Sequence, residues 1–222
     1  MNKTSRFLEP LAQASTPSII ADRIRDAIGH GDIPAGAQLY EAELARTFGV
    51  SRGPLREGLQ RLTQEGLLVS IRNRGVFVTE MTPENVRDMY AVRGAVERAA
   101  IQLILQRDPE AAAQSLTAIC DEMADASNVG DRSAFDIKFH EELVQLSRSP
   151  RLRRVHRTVM TETRMCIHAL AESYALSDDR VGEHRAIAAA IAAGDSAAAD
   201  RLMIEHMEDA VARLVPGAAG LS

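Results

Sequence analysis

The sequence predicts a mainly α protein in two parts, an N-terminal winged helix-turn-helix and a C-terminal all-helical bundle. Three observations carry this. Residues 16–80 show the order helix, helix, turn, helix and two alternating strands around a tight basic tip. From Thr82-Pro83 onward apolar residues recur only at three- and four-residue steps, with no strand pattern. Each helical stretch there is bounded by a capping residue, a proline or a glycine.

Residues 1–15 show no clear period and read as a flexible arm. Thr16 reads as an N-cap, followed by Pro17 at the first helical position. Ile20, Ile24, Ala27 and Ile28 then form one helical face, and GHGDIPAG at 29–36 ends the helix in a turn. Gln38-Leu39-Tyr40 reads as a short strand, and Glu41 to Phe48 as a short helix with Leu44, Ala45 and Phe48 inward. Gly49 breaks it. Ser51 caps the next helix, SRGPLREGLQRLTQEG, whose Pro54 falls in the first turn, where a missing N–H costs little. Leu55, Leu59 and Leu62 face inward and Gly66 ends the helix. LLVSI and VFVTE then alternate around Arg72-Asn73-Arg74-Gly75.

Beyond Thr82-Pro83, breaks fall near Asp108-Pro109, Gly130-Asp131, Ser149-Pro150, Ser177-Asp178 and Gly194-Asp195. They leave six helices over 82–215, enough for a bundle with its own core, and a tail at 216–222. The boundary between the two parts is short, near Glu80 to Pro83.

No apolar run approaches the roughly 20 residues of a membrane span, and the N-terminus has no apolar signal core. No membrane partner is expected, and the expected location is the cytoplasm. Cys120 and Cys166 belong to no CxxC pair and fit reduced core thiols. The net charge of −5 is uneven: residues 16–80 carry eight Arg and eight acidic residues, whereas 81–222 carry sixteen basic and twenty-two acidic. A nucleic-acid-binding half is usually more basic, so its arginines must act by clustering.

They do cluster. Arg52 and Arg56 lie one turn apart near a helix N-terminus, off the leucine face. In a helix-turn-helix these positions meet base edges and phosphates. An arginine on a guanine edge contributes roughly 1–3 kcal/mol of discrimination. Ser51 and the free N–H groups around Gly53 can hold a phosphate, and Arg72 and Arg74 can reach the backbone or minor groove. The stretch AELARTFGVSRGPLREGLQRLTQEGLL resembles the N-terminal domain of GntR-family transcriptional regulators. That resemblance implies a homodimer on an operator with two related half-sites. Carried over by position, it makes Ser51, Arg52, Gly53 and Arg56 the recognition-helix contacts, with Gly75 at the wing. Gly53 replaces a usual Thr, and Gly58 a usual Ala at a helix-interior position where glycine costs about 1 kcal/mol.

In the bundle, Asp136 and His140 lie one turn apart beside the stripe Phe135, Phe139, Leu143, Leu146. His184 lies on the stripe with Ile187, Ala188 and Ile191; His206 lies on the stripe with Ala199, Leu202, Met203 and Ala210. Singly, each histidine also fits a buried, hydrogen-bonded core residue. Together with an interior carboxylate they fit a divalent ion, since a buried charge needs a partner. The donor set suits Zn, Ni, Mn or Fe without selecting among them, with zinc the first expectation. His30, His156 and His168 lack this setting. Arg93 lies on the stripe Met89, Val96, Ala100 and needs an anion: either Glu97, four residues on, or the carboxylate of a small ligand that also binds the metal.

FDxxFHxxL, EHxxI at 183–187 and the last-helix histidine resemble the FCD-type effector domain of the FadR branch of GntR regulators, in its six-helix, VanR-like form. By position the resemblance makes Asp136, His140, His184 and His206 metal ligands and Arg93 an effector contact. Arg148-Ser149-Pro150 stands where that family often has Gly-Asn-Pro. The expected function is a ligand-responsive DNA-binding repressor, not an enzyme. Two alternatives remain: a regulator with a purely structural metal, and a metal enzyme with Glu141, Glu142 or Glu183 as base.

Overall fold

The structure is a computed structural model that describes residues 15–169 and 179–215. The expected arm at 1–15 except Ser15, the break near Ser177-Asp178, and the tail at 216–222 lie outside the described residues. Two compact units result, one from residues up to 27 with 36–79, the other from 28–35 with 80 onward. Residues 28–35, the last two residues of the first helix and the turn after it, are expected with the first part and group with the second. No helix among the described residues is long and apolar enough to cross a membrane.

The first unit contains α1 (Thr16–Gly29), β1 (Gln38–Leu39), α2 (Glu41–Phe48), α3 (Arg52–Gln64), β2 (Leu68–Ile71) and β3 (Gly75–Val78). Helix α1 is capped one residue earlier than expected, because Ser15 Oγ accepts from Ser18 N at 3.4 Å. The three strands are antiparallel in the order β1-β3-β2, with Ile71 opposite Gly75 at the hairpin end. Asn73 at φ 63° and Gly75 at φ 109° make that turn, where a side chain without the tolerance of Asn or Gly would be strained. Tyr40 leaves the strand and stands at the N-cap of α2, half exposed and making no cap bond. Ile20, Ile24, Leu55, Leu59, Leu62, Leu67 and Val78 form the core.

The second unit is helical: α4 (Pro83–Leu105), α5 (Pro109–Asp125), α6 (Val129–Leu146), α7 (Pro150–Ala169), α8 (Asp179–Ala192) and α9 (Ser196–Leu214). The caps are side chains read correctly from the sequence at Thr82, Asp108, Ser149 and Asp195, each accepting from the N–H three residues on. Helix α6 differs. It begins at Val129, because Asn128 Oδ1 accepts from Asp131 N at 2.9 Å. Gly130 is therefore inside the first turn rather than at the break. Helix α4 packs on all five others, and a 23-residue helix spans about 35 Å. It is the axis around which Ile101, Leu116, Phe139, Leu143, Ile187 and Met203 close the core.

The glycine at 58 has a packing reason that the helix propensity scale does not contain. A methyl group there would stand 3.1 Å from the Pro17 carbonyl oxygen and 3.1 Å from Ile20 Cγ2. Glycine lets α1 approach α3. Gly58→Ala is thus expected to show none of the roughly 1 kcal/mol that alanine gains over glycine in an open helix. Thermal unfolding measures this; a rise of the order of 4–8 °C in the unit's midpoint would mean that α1 yields freely.

Candidate metal centre and nucleic-acid interface

Helix α6 presents Asp136 and His140 one turn apart, α8 presents His184, and α9 presents His206. All four are buried, and one donor atom of each lies within 4.8 Å of the others. His140 Nε2 is 3.2 Å from His184 Nε2 and 3.1 Å from His206 Nε2, and His184 Nε2 is 3.4 Å from Asp136 Oδ1. Phe139 packs edge-on against the His140 and His184 rings, with centroids 5.4 and 4.5 Å away, and walls the cluster off.

The opposite ring nitrogens explain why these four atoms face one another. His140 Nδ1 is 2.6 Å from Glu97 Oε2, His184 Nδ1 is 2.7 Å from the Arg180 carbonyl, and His206 Nδ1 is 2.8 Å from Glu183 Oε2. Each Nδ1–H donates to an acceptor, so each neutral ring turns a bare Nε2 lone pair inward. Three lone pairs and Asp136 Oδ1, which makes no hydrogen bond, then converge. Such an arrangement suits a cation. Donors about 2.1 Å from one ion stand about 3.0 Å apart in an octahedron and about 3.4 Å apart in a tetrahedron; the separations of 3.1, 3.2 and 3.4 Å lie in that range, and all four atoms lie within 4.8 Å of one another. The residues fit a divalent ion, and Asp136, His140, His184 and His206 are the ones that would hold it.

The protonation states agree. Burial, joined by the Arg93 charge, pushes His140 down to about 4; burial pushes His184 down to about 4 against the pull of Asp136. Burial also holds His206 well below its ordinary value. Burial opposes the Asp136 charge, yet His184, His140 and Arg180 keep its carboxyl below the usual range. Neutral imidazoles and an ionised carboxylate are the forms that ligate.

Glu97 answers the question left open for Arg93. Its fully buried carboxylate accepts from Arg93 Nε at 2.8 Å and lies 2.6 Å from His140 Nδ1 and 3.0 Å from His156 Nε2. The i,i+4 ion pair is therefore real, but it uses only one edge of the guanidinium: Arg93 Nη2 is buried without a hydrogen-bond partner. His156, set aside from the sequence, is buried as Glu97's third partner. Arg180, also unforeseen, turns its guanidinium on the cluster, with Nη1 3.5 Å from His206 Nε2 and 3.9 Å from Asp136 Oδ1. The available signals were spacings: Glu97 follows Arg93 by four, and Arg180 precedes His184 by four.

In the winged unit, Ser51, Arg52, Gly53 and Arg56 are exposed at the start of α3, and Arg72, Arg74 and Gly75 are exposed at the hairpin. Ser51 stands at the N-cap position but its hydroxyl makes no cap bond, which leaves the hydroxyl and the first N–H groups for an anion. Arg56 Nε donates to Glu41 Oε2 at 2.7 Å, which steadies an otherwise exposed side chain. Gln38 pins the hairpin by donating from Nε2 to the Arg74 carbonyl at 2.7 Å. Arg74 lies over the Phe77 ring, 5.6 Å from its centroid.

The FCD domain family matches residues 88–209, more than half of the chain, and the gntR family of bacterial regulatory proteins matches residues 18–78. The chain belongs to the GntR-family transcriptional regulators with an FCD domain. It is similar to the Nta operon transcriptional regulator of Aminobacter aminovorans, 34% identical over 134 residues, which is 58% of this chain and 62% of that regulator. The gluconate operon transcriptional repressor of Bacillus subtilis is 30% identical over 138 residues, 61% of this chain and 56% of that repressor. A GntR regulator from Rhodococcus sp. RHA1 superposes with a TM-score of 0.74 at 29% identity, covering 92% of this chain and 99% of its own. These matches make the protein a DNA-binding transcriptional regulator and not an enzyme.

The buried histidines give a pH signature. Unfolded, they take protons near pH 6.5; folded and metal-free, His140 and His184 resist until about 4. Below about 6.5 the unfolded state binds more protons, so stability is full above that pH and falls as acid is added. Denaturant unfolding of chelator-treated protein between about pH 6.5 and 5, before most carboxylates titrate, measures it; stability that stays flat there would contradict the burial argument.

Proposed function

We propose that the protein is a homodimeric repressor whose release from its operator is set by a small carboxylate bound at a divalent metal, zinc first, in the helical unit. Asp136, His140, His184 and His206 hold the ion, and Arg93 holds the ligand. The observation that carries this is the pairing of an inward-facing donor set with a buried guanidinium nitrogen, Arg93 Nη2, that has no partner. A metal ion supplies a site for an anionic oxygen, and a carboxylate beside it supplies the acceptor that Nη2 lacks.

Ser51, Arg52, Gly53 and Arg56 meet the operator in the major groove, and Arg72, Arg74 and Gly75 meet the flanking backbone or minor groove. Both half-sites of a two-fold operator must be engaged together for tight binding, so a ligand that alters the distance between the two winged units weakens it steeply. By linkage, DNA and ligand then oppose each other by the same factor. The named repressor among its relatives supports the negative sign, and the chain acts where DNA lies, in the cytoplasm. A purely structural ion closed off by four protein ligands is the competing reading, and Arg93 separates the two.

Gel-shift titration with the DNA flanking the protein's own gene, at stated salt, tests the whole. Zinc-loaded protein is expected to shift it and to release it with a carboxylic acid. Arg93→Lys keeps a cation beside Glu97 but removes the Nη2 donor; it is expected to hold zinc and DNA while losing at least about tenfold in response to the acid. An unchanged response assigns the ion a structural role. Arg52→Ala is expected to weaken operator binding by about 1–3 kcal/mol with relaxed base preference at one position. Equal loss on specific and random DNA would make Arg52 a phosphate contact.

A further inference from the structure

Helix α6 ends on an uncommon residue. Ser147 is its C-cap, and Arg148 follows at φ 53°. That left-handed position after a helix is the usual place of glycine, because a Cβ there crowds the backbone. The Arg148 N–H donates to the Gln145 carbonyl at 3.0 Å, so the backbone is fixed in this conformation. The side chain gives the fold nothing in return: among the described residues the Arg148 guanidinium makes no hydrogen bond or ion pair. A strained residue whose side chain has no structural use points to a use outside the fold.

Arg148 lines a hollow of about 520 Å³ where the end of α4, the start of α5 and the end of α6 meet, a volume suited to a small molecule. Arg107 lines the same hollow. Its Nη1 donates to the Ser147 carbonyl, which belongs to the peptide that joins Ser147 to Arg148. The two arginines are thus tied together through the backbone, and Arg107 is held by one nitrogen. Asp108 is the one acid on the wall, and its Oδ1 is committed to the cap of α5, accepting from Ala111 N at 3.1 Å. Ser115 adds a hydroxyl, which donates to the Ala111 carbonyl at 3.4 Å and keeps its lone pairs. Ile104 and Leu146 add an apolar floor.

We propose that this hollow is a second ligand site, separate from the metal centre, that binds the phosphate monoester of a small polyol: the phosphate on Arg148 and Arg107, the carbon chain over Ile104 and Leu146, a hydroxyl on Ser115. A carboxylate has two oxygens in one plane and fills a single guanidinium fork. A phosphate monoester brings three acceptor oxygens and close to two charges, which two forks can share. The site stands whether or not the metal centre senses an acid.

The test is thermal unfolding and calorimetric titration of full-length protein with glycerol 3-phosphate, inorganic phosphate and glycerol near neutral pH. Glycerol 3-phosphate is expected to raise the unfolding midpoint by mass action and to bind at least about tenfold more tightly than either fragment. The discriminating variant is Arg148→Gly, because its two effects have opposite signs. With no ligand its midpoint is expected to rise by about 2–4 °C, as the strain is relieved. Its affinity for glycerol 3-phosphate is expected to fall at least about tenfold. A lower midpoint without ligand would show that Arg148 serves the fold, and would overturn the proposal. Wild-type affinity in the variant would place the phosphate elsewhere, on the recognition helix or the metal centre, and would overturn it too. Inorganic phosphate binding as tightly as the ester would make this a site for the free ion and refute the polyol ester. No response of the wild-type protein to any of the three would remove the site altogether.

Discussion

Three imidazole Nε2 atoms and a carboxylate oxygen point at one place inside the helical unit, and most of that unit is arranged to make them do so. Lone pairs at 3.1–3.4 Å repel one another in a dry interior. Folding alone gains nothing from bringing them together, so their orientation has to be imposed from behind. Glu97, Glu183 and the Arg180 carbonyl impose it by accepting each ring's Nδ1 proton, and Phe139 blocks rotation and water. The acceptors come from α4, from α8 and from the α8 backbone, while the rings come from α6, α8 and α9. Packing of four helices is thereby converted into the geometry of one point.

The same logic explains the length and centrality of α4. It contributes no ligand, yet its buried stripe carries Tyr90, Arg93 and Glu97 in successive turns on the face turned to the centre. An exposed helix can carry such residues at little expense, whereas a buried one requires each to be matched. Glu97 is matched three times over; Tyr90 and half of Arg93 are left unmatched. Unmatched donors in a native core call for an explanation, and under the proposed function the ligand supplies it.

The fold was largely legible because caps and glycines are local signals. Thr82, Asp108, Ser149 and Asp195 each act within three residues of their own position. The α6 start was misplaced because Gly130 looks like a breaker, although a glycine in the first turn is tolerated once Asn128 has capped it. The four metal-site candidates were legible because a histidine or aspartate on an apolar stripe is out of place. Their supporting residues were not. Glu97 and Arg180 read as ordinary helix charges, since a glutamate four residues from an arginine is commonly a solvated pair. What distinguishes them is contact with His140, 43 residues away, and with His206, 26 residues away. Those contacts arise only from how α4, α6, α8 and α9 pack. Gly58 was misjudged for the same reason, because its use lies in the approach of α1 and not in α3.

Glu97 also links two quantities that are usually set separately. It shares one carboxylate between Arg93 and His140. An anion that draws on Arg93 loosens that guanidinium's hold on Glu97, and the freed carboxylate leans harder on the His140 Nδ1–H. A more strongly held Nδ1–H makes Nε2 more electron-rich and a better metal donor. On the proposed reading, acid and metal would tighten each other's binding, and reciprocity requires the effect to be equal in both directions. Under the proposed function, the concentration of acid at which the regulator responds is then not a constant of the protein. It would slide with the free metal level, the pair Arg93–Glu97 joining what would otherwise be two independent sites.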